Sequence, residues 1–146
     1  MDKNIVEFLL RAKRATYAGD GHESASSRPA SRDLRYEEGA LLYIDSYLGG
    51  EKFAGEEALW KDGKPIWAMN YAGRILGEGF SRDFHLSALR LGTTELPFRG
   101  PPRHDEGAYS YECAVEGDAS WFSGREEIRF KGARIYECVF HGGEIV

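Results

Sequence analysis

Asp45 and Asn70 are the residues whose setting points most directly to chemistry. Asp45 falls in Tyr43-Ile-Asp-Ser-Tyr47 and Asn70 in Trp67-Ala-Met-Asn-Tyr71, so each polar group interrupts an aromatic-rich segment. In extended chain, alternation puts Tyr43, Asp45 and Tyr47 on one face, and Trp67, Met69 and Tyr71 share a face in the same way. A carboxylate on such a surface is costly to bury unless it is hydrogen-bonded or paired. Upstream, Arg28 and Arg32 offer guanidinium groups whose planar forks match a carboxylate or phosphate. These residues together describe a pocket for a small anionic or aromatic ligand, enclosed by loop 18–34 and the first set of strands. Arg28 and Arg32 would supply charge, Tyr47, Trp67 and Tyr71 the walls, and Asp45 and Asn70 the orienting hydrogen bonds. The competing structural reading pairs Asp45 with Arg28 or Arg32 and pins the loop to the sheet, with Asp33, Glu37 and Glu38 as further partners for the arginines.

Other chemistries have less support. His22, His85, His104 and His141 form no HxH or HExxH spacing, so no metal is expected. Ala18-Gly-Asp-Gly21 lacks the lysine and serine or threonine of a phosphate loop and reads as a helix stop. Ser24-Ala-Ser-Ser27 is loop, and no Gly-x-Ser-x-Gly elbow occurs. No catalytic residue is assigned and no cofactor is expected. Two alternatives stand beside it: a protein-interaction module that homodimerises or docks a regulator, and an acid–base enzyme with Asp45 or Glu56 acting beside His22 or His141. The pairs Glu56-Glu57 and Glu126-Glu127 read as a sheet-surface device. Cys113 and Cys138, the two cysteines, fall two strand spacings apart, too far for a disulfide, and read as buried free thiols.

The elements that would position these groups carry an apparent internal repeat. Arg35, Glu38, Gly39, Ala40, Tyr43 and Gly49 recur as Arg103, Glu106, Gly107, Ala108, Tyr111 and Gly117, and Gly55, Glu57, Gly63, Ile66 and Gly73 recur as Gly124, Glu126, Gly132, Ile135 and Gly142. Ile5, Phe8, Leu9 and Ala12 have helical spacing, predicting a helix over 4–17 with Asn4 as cap and Gly19 and Gly21 as stop. A second helix is expected over 82–91, capped by Ser81 and stopped by Gly92. Strands are expected over 40–48, 52–60 and 65–72, with an Asp62-Gly63 hairpin turn, and over 107–115, 120–130 and 133–140. Gly55 and Gly124 mark a bulge or bend in each middle strand. The expected fold is α+β, a duplicated α-β-β-β unit (about 4–76 and 80–146) in one domain spanning 1–146. Its six-stranded antiparallel sheet, open or curled, carries both helices on one face. Leu42, Ile44 and Leu48 then lie on the other face, where a homodimer or a docked regulator would cover them.

A net charge of −5 argues against a direct nucleic-acid surface. No apolar run reaches the roughly 20 residues of a membrane span, and the start of the chain has no secretory pattern, so a cytoplasmic setting is expected. Four stretches are distinctive: Phe8-Leu-Leu-Arg-Ala-Lys-Arg-Ala-Thr-Tyr17, Ala25-Ser-Ser-Arg-Pro-Ala-Ser-Arg-Asp-Leu-Arg-Tyr-Glu-Glu-Gly39, Tyr43-Ile-Asp-Ser-Tyr-Leu-Gly-Gly-Glu-Lys-Phe-Ala-Gly-Glu-Glu57 and Pro65-Ile-Trp-Ala-Met-Asn-Tyr-Ala-Gly73. With Phe140-His-Gly-Gly143 they make the chain resemble a bacterial and archaeal domain-of-unknown-function family, some members of which follow a helix-turn-helix segment. The resemblance implies an accessory or sensing module and brings no established active site.

Overall fold

The computed structural model describes residues 1–17 and 23–146. Helix α1 (Lys3–Tyr17) is followed by strands β1 (Glu23–Ser24), β2 (Arg32–Glu38), β3 (Leu41–Gly49), β4 (Lys52–Lys61) and β5 (Lys64–Ile75). Helix α2 (Arg82–Leu89) then leads into β6 (Arg103–Glu106), β7 (Tyr109–Asp118), β8 (Trp121–Phe130) and β9 (Ala133–Glu144). All nine strands form one antiparallel sheet in the order β1-β2-β3-β4-β5-β9-β8-β7-β6. The chain thus builds one meander from an edge to the centre, crosses over through α2, and returns along the other half.

This corrects the expected architecture. The class is α+β and the sheet antiparallel, but it has nine strands rather than six, and no duplicated helix-plus-three-strand unit is present. The missed strands are β1, β2 and β6, whose residues (Arg32-Asp-Leu-Arg-Tyr-Glu-Glu38 and Arg103-His-Asp-Glu106 in the latter two) are too charged to read as strand. They form because their main-chain groups pair, β1 with β2, β2 with β3 and β6 with β7, and charged edges also discourage further strand addition. The recurring glycines report recurring turn chemistry. Gly39 and Gly107 have φ of 57° and 60° at the first position of two-residue hairpins, where a side chain would be strained. Asp62-Gly63 is a hairpin turn with both residues at positive φ, as expected.

The helices differ from expectation only at their ends. Asp2, not Asn4, caps α1, its Oδ1 accepting from the Asn4 amide at 2.8 Å. Ser81 caps α2 through its Oγ, which accepts from the Phe84 amide, and α2 ends at Leu89 rather than Leu91. The expected stop at Gly19 and Gly21, and the candidates Asp20 and His22, lie outside the described residues. Phe8, Leu9 and Ala12 of α1 are fully buried, and Phe84, Ala88 and Leu89 of α2 join them against the sheet. The alternation expected from sequence holds: Tyr43, Trp67, Met69, Tyr111, Tyr136, Cys138 and Phe140 all face this core. Gly55 and Gly124 mark no bulge, because the register runs through both and shifts instead at Leu59/Trp60 and Ile128/Arg129. Each is a seat for an aromatic ring, since a Cβ on Gly55 would stand 2.4 Å from the Tyr71 hydroxyl and one on Gly124 would stand 2.4 Å from the Phe140 ring. Among the described residues no helix is long and apolar enough to cross a membrane.

Candidate functional site

Asp45 sits mid-strand in β3, opposite Leu34 of β2 and Glu57 of β4, and is 2 % exposed. Gly55 leaves room for the Tyr71 side chain to cross β4, and the Tyr71 hydroxyl donates to Asp45 Oδ1 at 2.6 Å. Among the described residues this is the carboxyl group's one hydrogen bond, so Oδ2 carries none. Burial raises the Asp45 carboxyl from 3.8 to about 6, against the pull of the Tyr71 bond and of Arg99 and Lys13 behind it. The carboxyl therefore ionises near neutrality while holding an unused acceptor in a nearly dry place. Burial and the adjacent carboxylate push the Tyr71 phenol upward, so it stays protonated and remains the donor.

Asp45 belongs to the lining of a cavity of about 310 Å³ between the sheet and α2. Tyr47 of β3, Phe53 of β4, Tyr71 of β5, Tyr136 of β9, His85 of α2 and Phe80 just ahead of α2 supply the flat walls. The rings support one another: Phe80 and Phe53 stack on Tyr136 at 5.4 and 6.2 Å, and His85 lies 4.6 Å from the same ring. Arg32 from β2 and Arg82 at the start of α2 also line the cavity; both are exposed, and neither forms a salt bridge among the described residues. The volume and mixed lining are those of a small-molecule site.

Behind the cavity lies a buried charge network that holds the walls. Glu126 of β8 is 1 % exposed and accepts from Arg99 at 2.7 Å, Tyr111 at 2.5 Å, Tyr136 at 2.8 Å and His85 at 3.2 Å. Burial opposes its ionisation, but Arg99 and the His85 bond hold it well below the ordinary carboxylate range. Lys13 of α1 pairs with Glu57 at 2.6 Å and also bonds the Phe98 carbonyl, while Arg99 lies 3.7 Å from Glu57. Burial lowers the Lys13 ammonium despite Glu57. Two buried cations thus face three buried carboxylates, and Asp45 is the one without a dedicated ion pair. His85 Nε2 donates to the fully occupied Glu126 carboxylate, so in the neutral ring Nδ1 is left as an acceptor. Glu126 thereby fixes the orientation of two cavity walls, Tyr136 and His85.

The residues singled out by sequence separate onto two faces. Arg32, Asp45, Tyr47 and Tyr71 meet at the cavity. Trp67 is fully buried, stacked 5.8 Å from Phe122, and is not among the residues lining this cavity. Arg28 and Asn70 belong to the opposite face, because Asn70 is one residue out of phase with Tyr71 and Arg28 donates to Ser46 Oγ at 2.8 Å. Neither arginine pairs with Asp45, so the loop-pinning ion pair is not formed. The structure instead ties the loop down through Asp33, which accepts from the Ser27 amide and from Ser31 and Ser46. Glu56 is exposed beside Asn70 and His141 on the outer face, around a groove of about 690 Å³ with Leu48, Ala54 and Val139. Among the described residues neither Asp45 nor Glu56 bonds a histidine, and no cluster of three metal-ligating groups occurs.

Sequence reasoning missed Lys13, Glu57, His85, Arg99 and Glu126. Glu57 and Glu126 were legible by alternation, since each shares a face with a buried residue two positions along, Leu59 and Ile128. They are interior groups, not a surface device. Cys138 is buried and Cys113 half-buried, and both are free thiols.

A family model described as a domain of unknown function, DUF5680, matches residues 45–145, and the chain belongs to that family. No curated protein and no solved structure matches it.

Proposed function

Taking the chain as a member of DUF5680, we propose that it is a small-molecule-binding domain whose site is the aromatic cavity between β3, β4, β5, β9 and α2. The observation that carries this reading is Asp45: a carboxyl group 2 % exposed, raised to about 6, in the cavity lining, with one oxygen bonded to Tyr71 and the other without a hydrogen bond among the described residues. Such a group costs stability where it stands, and a folding role alone does not account for it. Beside Arg32 and Leu34 from the expected stretch 18–34, α2 and Phe80 line the site, which the sequence did not suggest. A cytoplasmic setting belongs to the same reading, supported by the free thiols. Thermal-shift screening of small aromatic and anionic metabolites tests it: hits that raise Tm in the parent and lose their effect in Tyr71→Ala support the reading. No hit, with unmoved Tyr71 and His85 resonances in ligand titrations, removes it.

A second reading rests on the opposite face, where Val139 is 61 % and Leu48 39 % exposed around the outer groove. There a second copy of the chain would pack sheet against sheet. Glu56 and His141 flank Asn70 on neighbouring strands of that face. Light scattering on the parent and Val139→Glu decides it, since a monomer in both excludes the dimer.

A further inference from the structure

The cavity is chemically polarised, and the polarity identifies the class of molecule that fits it. Its inner end offers acceptors. Tyr71 directs its only hydroxyl proton to Asp45 Oδ1, leaving Oδ2 as an acceptor. His85 donates its Nε2 proton to Glu126, and in the neutral ring Nδ1 is an acceptor. The Thr16 hydroxyl, also in the lining, donates back to the Ala12 carbonyl at 2.9 Å and has only lone pairs left. The Tyr136 hydroxyl is committed to Glu126 at 2.8 Å. A ligand seated here has to bring the donors itself.

The outer end offers the reverse. Arg32, which the Tyr47 hydroxyl and Glu23 also hold, and Arg82 stand on different elements of the lining, both exposed and neither in a salt bridge among the described residues. Arg99, the third arginine of the lining, is engaged by Glu126. A carboxylate set among aromatic rings also suits an ammonium ion, but here the cation position is taken: the Arg99 guanidinium lies over the Tyr71 ring, 5.4 Å from its centroid. Between the two ends the walls are flat rings, which favour a flat guest.

We infer, resting on the binding function proposed above, that the cavity takes an anionic nitrogen heterocycle: a planar ring whose N–H edge meets Asp45 and His85, with a phosphate or carboxylate arm directed to Arg32 and Arg82. Neither half suffices alone. A neutral ring leaves the guanidinium pair without an anion, and an anion without N–H donors leaves the Asp45 and His85 acceptors dry and unmatched.

Calorimetric and NMR titrations with a defined panel test the assignment. The panel comprises the four 5′-ribonucleoside monophosphates, orotate and pterin-6-carboxylate as anionic heterocycles, the matching nucleosides as uncharged rings, and phenyl phosphate as a ring and anion without N–H donors. At least one anionic heterocycle binds at or below the order of 1 mM and moves the Tyr71 and His85 resonances. The matching nucleoside and phenyl phosphate each bind about tenfold more weakly. Asp45→Asn reduces affinity for the heterocycle about tenfold and leaves phenyl phosphate unchanged, whereas the double variant Arg32→Ala/Arg82→Ala removes the advantage of nucleotide over nucleoside. Should neutral indole bind at the same resonances as tightly as any nucleotide, the ligand class is wrong while the pocket stands. Should neither the panel nor indole move those resonances, both readings fall. Phosphate sources and carboxylate sources are separated by comparing the monophosphates with orotate and pterin-6-carboxylate.

Discussion

Replacing Asp45 with asparagine should stabilise the protein above neutrality and remove a specific pH dependence. In the folded chain the carboxyl is pushed up to about 6, from 3.8 in an exposed chain. Below both values the group is protonated in either state and contributes nothing. Between them the folded form holds a proton that the unfolded form has lost, so stability falls as pH rises through this window. The full effect, a displacement of about two pH units, is about 3 kcal/mol. About 2 kcal/mol of it falls between about pH 4.5 and about pH 8. The asparagine side chain keeps a carbonyl oxygen to accept from the Tyr71 hydroxyl, so the substitution preserves the 2.6 Å contact while removing the charge. Urea denaturation of parent and Asp45→Asn at the two pH values gives a difference of differences in which all other titrating groups cancel. The variant should gain about 2 kcal/mol on the parent over that interval, or several degrees in Tm. Parallel pH profiles for the two proteins would refute the reasoning, because they would mean that Asp45 titrates alike in the folded and unfolded chain.

Gly55→Ala puts a Cβ 2.4 Å from the Tyr71 hydroxyl and 2.7 Å from the Tyr47 Cβ, so it should cost roughly 1–3 kcal/mol in denaturant melts and displace Tyr71 from Asp45. Glu126→Gln leaves Arg99 buried without its carboxylate and should cost about 3–5 kcal/mol by the same measurement, with loss of order at Tyr136 and His85 in NMR spectra. Burial pushes the Cys113 thiol up to about 11 and the Cys138 thiol up to about 12, so native protein at mildly alkaline pH should react with iodoacetamide far more slowly than urea-unfolded protein. Equal rates would place these thiols on the surface.

Much of the sheet was legible because its inner face is written in alternation. Tyr43-x-Asp45-x-Tyr47 and Trp67-x-Met69-x-Tyr71 fall inward as a two-residue period requires. The Asp62-Gly63 turn was equally plain. What alternation cannot reveal is pairing by main chain alone, so β2 and β6 with their runs of charge were invisible, and the nine-stranded sheet with them. Recurrent glycines were overread: Gly39 and Gly107 share a turn geometry, which is a local requirement of φ and says nothing of a larger unit. Part of the site was legible in Asp45, Tyr47, Tyr71 and Arg32, since an acid on an aromatic face is a local anomaly. Asn70 was misplaced because it is one residue out of phase with Tyr71. His85 and Arg99 come from α2 and the segment after it, and only the crossover between the two halves of the sheet brings them to Asp45. Lys13 was hidden in a basic run, Arg11-Ala-Lys-Arg14, where nothing local tells the buried cation from its exposed neighbours.

The account rests on the cavity beside Asp45 being a site that a ligand enters. Carbon-detected NMR of the Asp45 carboxyl during titration with the tightest-binding member of the heterocycle panel examines that directly. The account predicts that the carboxyl signal and the rings of Tyr71, Phe80 and Tyr136 shift together and saturate together, and that the apparent Asp45 pKa falls from about 6 as a donor meets Oδ2. Saturable shifts confined to Leu48, Val139 and His141 on the outer face, with the Asp45 carboxyl unmoved, would contradict it.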